Sequence, residues 1–192
     1  MVNKFEHKGN PMIITVFGGA HPKPGSPEYE NARQLGSLIA KEGYQVMTGG
    51  YTGTMEAVSR GANETGGNVI GVSCEEIEIW RPMKVNPWVI EEIRLPTLMD
   101  RIEYLIKKCD AAIALPGGPG TLAELSVMWN LMIISAIPSK PLILTGVGWK
   151  ETIGKYHQDF GMYAPEKDWE RLIFALDYPD VPGMIKRTLG AK

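Results

Sequence analysis

Short apolar runs, most of them stopping at glycine, recur along this chain, and they constrain its fold more than any other feature. They read "MIITVFGG" (12–19), "YQVMTGG" (44–50), "NVIGVS" (68–73), "AAIALPGG" (111–118) and "PLILTG" (141–146). All are rich in Val, Ile and Leu without strict alternation, the pattern of strands covered on both faces, and such strands belong to parallel sheets. Between them, "SPEYENARQLGSLIAKEG" opens on a Ser cap and a Pro and closes on Gly, while "TMEAVSRGANETGG" and "TLMDRIEYLIKKC" carry helical spacing with polar outer faces. Strand and helix in alternation predict an α/β, doubly wound parallel sheet with helices on both faces. "VIEEIRL" (89–95) and "RLIFALD" (171–177) bring the strands to about seven, and "DVPGMIKRTLG" predicts a closing helix. Residues 74–88, with two Trp in "WRPMKVNPW", read as an ordered loop placed to cover a site.

Composition narrows the partners. A chain of 192 residues fits one domain, taken here as residues 1–192. With 44% apolar and 22% charged residues and a net charge of -2, it has no electrostatic signature of nucleic-acid or membrane binding, which leaves a small ligand. The polar start "MVNKFEHKGNPM" lacks a signal-peptide pattern, and the expected location is the cytoplasm. Two cysteines, Cys74 and Cys109, have no metal-ligand spacing and are expected to be buried thiols. Neither a metal nor a cofactor is expected.

Ligands of open α/β sheets bind beyond the carboxyl ends of the strands, where helix N-termini attract anions. In "LPGGPGT", Gly117, Gly118 and Gly120 permit close backbone approach, Pro119 stiffens the loop and Thr121 can cap the next helix. No Lys follows these glycines, so the loop is no P-loop, and no strand-to-helix turn carries GxGxxG. A monophosphate is the better fit. "GGYTGT" supplies Gly49, Gly50, Gly53 and Thr54 as a second wall, and Gly19 of "FGGAHP" adds to the same crevice. Glycines kept for tight packing alone are the competing explanation.

Glu124 is the one ionisable side chain between residues 111 and 139. Thr121 and Glu124 have the T-x-x-E spacing of a capping box, one explanation for it. The helix continues "LSVMWNLMII", apolar nearly all round, so a carboxylate there calls for a partner or a chemical task. Arg101 sits beside the buried stripe Leu98, Ile102, Leu105, Ile106 and Cys109 of the preceding helix, and either reaches the crevice or lies on the surface. The apolar faces of "LAELSVMWNLMII" exceed what one sheet covers, which predicts a homodimer or an assembly built from one.

The segment "MDRIEYLIKKCDAAIALPGGPGTLAE" resembles the signature of the LONELY GUY (LOG) proteins, PGGxGTxxE preceded by an Arg on the upstream helix. "FGGAHP" and "GGYTGTMEAVSRGANETGGNVIGV" extend the likeness over roughly residues 12–150. The resemblance implies a Rossmann-like homodimer without metal or redox cofactor. Activated members of that family hydrolyse the N-glycosidic bond of a nucleoside 5'-monophosphate, releasing base and ribose 5-phosphate. Glu124 then matches the catalytic Glu, Arg101 the catalytic Arg, and Gly117, Gly118, Gly120 and Thr121 the phosphate-binding turn. The chain departs from the cytokinin-activating pattern at Tyr51, Glu56, Ile102 and Ala123. Molybdenum-cofactor carriers share the architecture, and the alternative they imply is a protein that binds a nucleotide or phosphorylated cofactor without turnover.

Overall fold

The apolar runs form the seven strands of one sheet in a computed structural model that describes residues 11–190. The polar segment before residue 11 lies outside the described residues, so the reading of the N-terminus is not tested. In chain order the strands are β1 (Ile13–Phe17), β2 (Gln45–Thr48), β3 (Val69–Cys74), β4 (Glu91–Leu95), β5 (Ala111–Ala114), β6 (Leu142–Thr145) and β7 (Leu172–Ala175). Their spatial order is β4-β3-β2-β1-β5-β6-β7, and every neighbouring pair is parallel. The inner strands are buried residue by residue, which is why their sequences run apolar without alternation. At the edge, β4 is half open to solvent and alternates accordingly.

Helices lie on both faces. One face carries α1 (Pro27–Lys41), α2 (Thr54–Glu64) and the closing helix α7 (Val181–Gly190), with Tyr29, Leu35, Ile39, Val58 and Ile185 packed on Ile14, Val46 and Ile143. The other carries α4 (Leu98–Lys107), α5 (Pro119–Ile133) and α6 (Val147–Phe160), where Leu105, Ile106, Met128 and Trp149 pack on Phe17, Met47 and Leu144. The Ser26 cap of α1 is formed as its sequence suggests, accepting the Tyr29 N–H at 3.3 Å, with Pro27 at the first helical position. The result is a Rossmann-like, doubly wound sheet.

Three expectations need correction. The stretch 74–88 is not wholly irregular, because Glu75–Trp80 forms a short helix, α3, with Glu75, Glu76 and Glu78 in its first turn. Leu98 does not continue the buried stripe of α4: at the first helical position, it is 40% exposed. Thr121 does not cap α5 either. Pro119 starts that helix three residues earlier than a Thr121 cap would and makes Gly118 the N-cap, leaving Thr121 inside the first turn and the Thr121–Glu124 capping box unformed. Cys74 and Cys109 are buried free thiols, as expected.

Candidate active site

The sheet order reverses between β1 and β5, so the loops leaving these two strands diverge and open a crevice at their carboxyl ends. The crevice holds about 310 Å³. Gly18, Gly19 and Ala20 after β1 form one side, and Gly118, Pro119, Gly120 and Thr121 at the start of α5 form the other. No side chain caps α5. The N–H groups of its first turn have no intrahelical acceptor and aim the positive end of the helix dipole into this space. A Cβ on Gly118 or Gly120 would meet nothing within 4 Å, so these residues keep the mouth of the turn open. Gly117 is needed for packing, because a Cβ there would lie 2.2 Å from the Thr121 hydroxyl.

Glu124 follows one turn further along α5 and lines the floor. Arg101 reaches the same floor from the first turn of α4, whose start is fixed by Thr97: its hydroxyl accepts the Asp100 N–H at 3.1 Å. Both side chains are buried, 6% exposed for Arg101 and 10% for Glu124, and Arg101 Nη1 stands 3.3 Å from Glu124 Oε1. That is longer than the roughly 2.7–2.9 Å of a tight charge-assisted bond. The guanidinium is anchored instead by its Nε, which donates to the Val72 carbonyl at 2.7 Å, and its carbon lies 5.6 Å from the centre of the Tyr51 ring. Burial pushes the Glu124 carboxyl up to about 7, and the Arg101 charge and hydrogen bond pull against that rise. The site therefore offers a carboxylate poised near neutrality beside a fixed cation, one helical turn from an uncapped helix start.

A family model, that of the SLOG cluster4 family, matches residues 11–156. The chain belongs to the SLOG cluster4 family. Its curated relatives bear out the LONELY GUY resemblance. One is the cytokinin riboside 5'-monophosphate phosphoribohydrolase of Rhodococcoides fascians, 30% identical over 137 residues that cover 70% of this chain and 67% of that one. Another is the pyrimidine/purine nucleotide 5'-monophosphate nucleosidase of Escherichia coli, 30% identical over 149 residues. The match covers 73% of the SLOG chain but only 32% of the E. coli protein. Among solved structures, the molybdenum cofactor binding protein of Rippkaea orientalis superposes with a TM-score of 0.72 at 26% identity, covering 94% of this chain and 99% of its own.

Within this SLOG chain the other anticipated residues fall into two groups. Gly19, Gly118, Gly120 and Thr121 line the crevice beside Arg101 and Glu124. The glycines of the second loop are placed beneath it. Gly49 makes room for Arg101, since a Cβ there would sit 1.8 Å from Nη2. Gly50, at φ +77°, faces Val85 and Gly71, and its carbonyl accepts from Asn86. Gly53, at φ +75°, lets the loop close on Gly19 and Ala20, and the Thr54 hydroxyl is bound to the Gly19 carbonyl at 3.1 Å. The second wall is made by side chains instead, Tyr51 and Met55. Sequence reasoning named neither as site residues, nor His21, nor Ile77, Trp80, Arg81 and Met83 from α3 and the loop after it. Tyr51 is set by its hydroxyl, which accepts the Cys74 N–H at 2.8 Å. Glu56 points elsewhere and accepts from the Tyr29 hydroxyl at 3.1 Å. Among the described residues no group of three or more His, Cys, Asp and Glu converges as a metal site would.

Proposed function

We propose that the chain is a nucleoside 5'-monophosphate phosphoribohydrolase, releasing free base and ribose 5-phosphate. The observation that carries this reading is the buried Arg101–Glu124 pair on the floor of a crevice that also contains the uncapped start of α5. The 5'-phosphate takes the N–H groups of Gly118, Gly120 and Thr121, which sets the ribose over Glu124. As the C1'–N bond breaks, its electron pair leaves with the base and positive charge spreads over C1' and the ring oxygen. The ionised Glu124 carboxylate stabilises that charge. Water then adds to C1' and gives up a proton, and the departing base takes one, so the step consumes one water. A carboxyl near 7 is matched to this work at neutral pH, ionised often enough to stabilise a cation and basic enough to accept a proton. Arg101 fixes the carboxylate and is placed to hold the sugar or phosphate.

The activities of the R. fascians and E. coli relatives, both on nucleoside or nucleotide 5'-monophosphates, support hydrolysis as the reaction class. Incubation with a panel of nucleoside monophosphates tests it, with base and ribose 5-phosphate followed by chromatography. A second reading has its own support, because the Rippkaea likeness runs over nearly the whole of both chains and that protein binds molybdenum cofactor. Tight binding of one phosphorylated ligand with no turnover of any would assign the crevice to carriage.

We also read the protein as a homodimer. An apolar groove of about 740 Å³ runs between α5 and α6, bordered by Leu122, Trp129, Ile133, Tyr156 and Phe160. Leu122, Tyr156 and Phe160 remain 45%, 49% and 47% exposed, a contiguous patch of the kind that marks an interface.

A further inference from the structure

The residues lining the crevice are of two chemical kinds. Arg101, Glu124, Thr121 and the start of α5 are charged or rich in donors. Ile77, Trp80 and Met83, from α3 and the loop after it, present apolar surface, with Arg81 from the same segment and His21 as further polar side chains of the lining. Trp80 stands out by its exposure: it lines the crevice, yet 80% of it is open to solvent. A large indole left open in this way is unusual outside interfaces and ligand sites.

The segment that carries it is tied down on three sides. Glu78 of α3 bonds Arg94 of β4 at 2.8 Å and lies 3.3 Å from the Tyr51 hydroxyl, and Glu76 accepts the Leu98 N–H of α4 at 2.8 Å. The indole is thus presented from a fixed support, which reduces the ordering cost of binding against it. A nucleotide whose phosphate sits on α5 and whose C1' lies over Glu124 has only one further part, its base, and Trp80 is the aromatic side chain lining the crevice that is open to receive it, Tyr51 being buried. Neither a carboxylate nor an amide side chain stands beside Trp80 in the crevice lining, so base edges meet His21 and Arg81 there, while the face of any base finds a platform.

We propose that Trp80 is the specificity-determining residue of this crevice, stacking on the nucleobase and favouring purines over pyrimidines through their larger face while tolerating any purine. This rests on the reading of the crevice as a nucleoside monophosphate site. The test is calorimetric titration with AMP, CMP and ribose 5-phosphate, made on Glu124→Gln protein so that the nucleotides are not consumed. Parallel titrations add Trp80→Ala or Trp80→Phe to that protein. AMP binds more tightly than CMP, and Trp80→Ala weakens AMP about tenfold, the size of one lost base–aromatic stack. Ribose 5-phosphate, which has no base, keeps its affinity, and Trp80→Phe retains most of the AMP affinity. Equal weakening of AMP and ribose 5-phosphate by Trp80→Ala would overturn the proposal, as would unchanged AMP affinity. Parent protein that binds ribose 5-phosphate but no nucleotide overturns the stacking role and leaves the phosphate cradle standing; parent protein that binds neither overturns both.

Discussion

Replacing Glu124 by Gln should stabilise the folded protein at alkaline pH, and the size of the effect follows from burial. The carboxyl rises from its ordinary value of 4.5 to about 7, chiefly because burial penalises the charged form, with Arg101 offsetting part of that penalty. Folded protein therefore holds the Glu124 proton more tightly than the unfolded chain. The stability this confers is complete below pH 4.5, is lost as pH rises to about 7, and stays lost above it. At about 1.4 kcal/mol per pH decade, ionising Glu124 costs the fold about 3 kcal/mol. Gln has nearly the same shape and hydrogen-bonding reach but never ionises, so the variant escapes the cost. At pH 8 its melting temperature should exceed that of wild type by roughly 6–12 °C for a chain of this length, and at pH 4.5 the two should coincide. Differential scanning calorimetry in steps from pH 4.5 to 8.5 measures both. Parallel melting curves at every pH, or a variant less stable than wild type at pH 8, would refute the reasoning and make the ionised carboxylate a net stabilising partner of Arg101. A residue that weakens the fold at neutral pH is one that stability alone does not explain.

Gly49→Ala places a methyl group 1.8 Å from Arg101 Nη2, so the guanidinium must move. We expect turnover to fall on the order of a hundredfold with the far-ultraviolet circular dichroism unchanged, since a 1 Å misplacement costs about that much. Gly118→Val meets open space and an extended backbone that Val adopts readily, so the fold survives; AMP affinity by calorimetry should fall roughly tenfold or more as the side chain shields the α5 N–H groups. Light scattering at micromolar concentration should give at least the mass of a dimer, and Tyr156→Glu together with Phe160→Glu should reduce it; a clean monomer in the wild type removes the groove between α5 and α6 as an interface.

The sheet was legible because parallel strands covered on both faces are apolar at nearly every position, as residues 111–114 and 142–144 are. Arg101 and Glu124 were legible as residue types in a spacing, but helical periodicity does not say which way a long side chain turns. Only the Val72 carbonyl and the gap left by Gly49 fix that. The capping box failed because Pro119 is itself a strong helix starter, a signal present in the sequence and outweighed there by the T-x-x-E spacing. The short helix α3 was missed for a similar reason. Three acidic residues at 75, 76 and 78 favour a helix start, but six residues are too few for a periodic pattern. The stretch 74–88 reads as covering a site, and Trp80 and Met83 do line the crevice; which of its side chains turn inward depends on the tertiary path of the segment, which local sequence does not encode.

Whether Glu124 performs the chemical step is decided by the rate at which purified Glu124→Gln protein releases base from the best nucleoside monophosphate of the panel. A loss of a hundredfold or more against wild type is expected, typical of removing a charge-stabilising group, with AMP affinity retained. A Glu124→Gln protein as fast as wild type, or a wild type that releases no base from any nucleotide, would contradict that role.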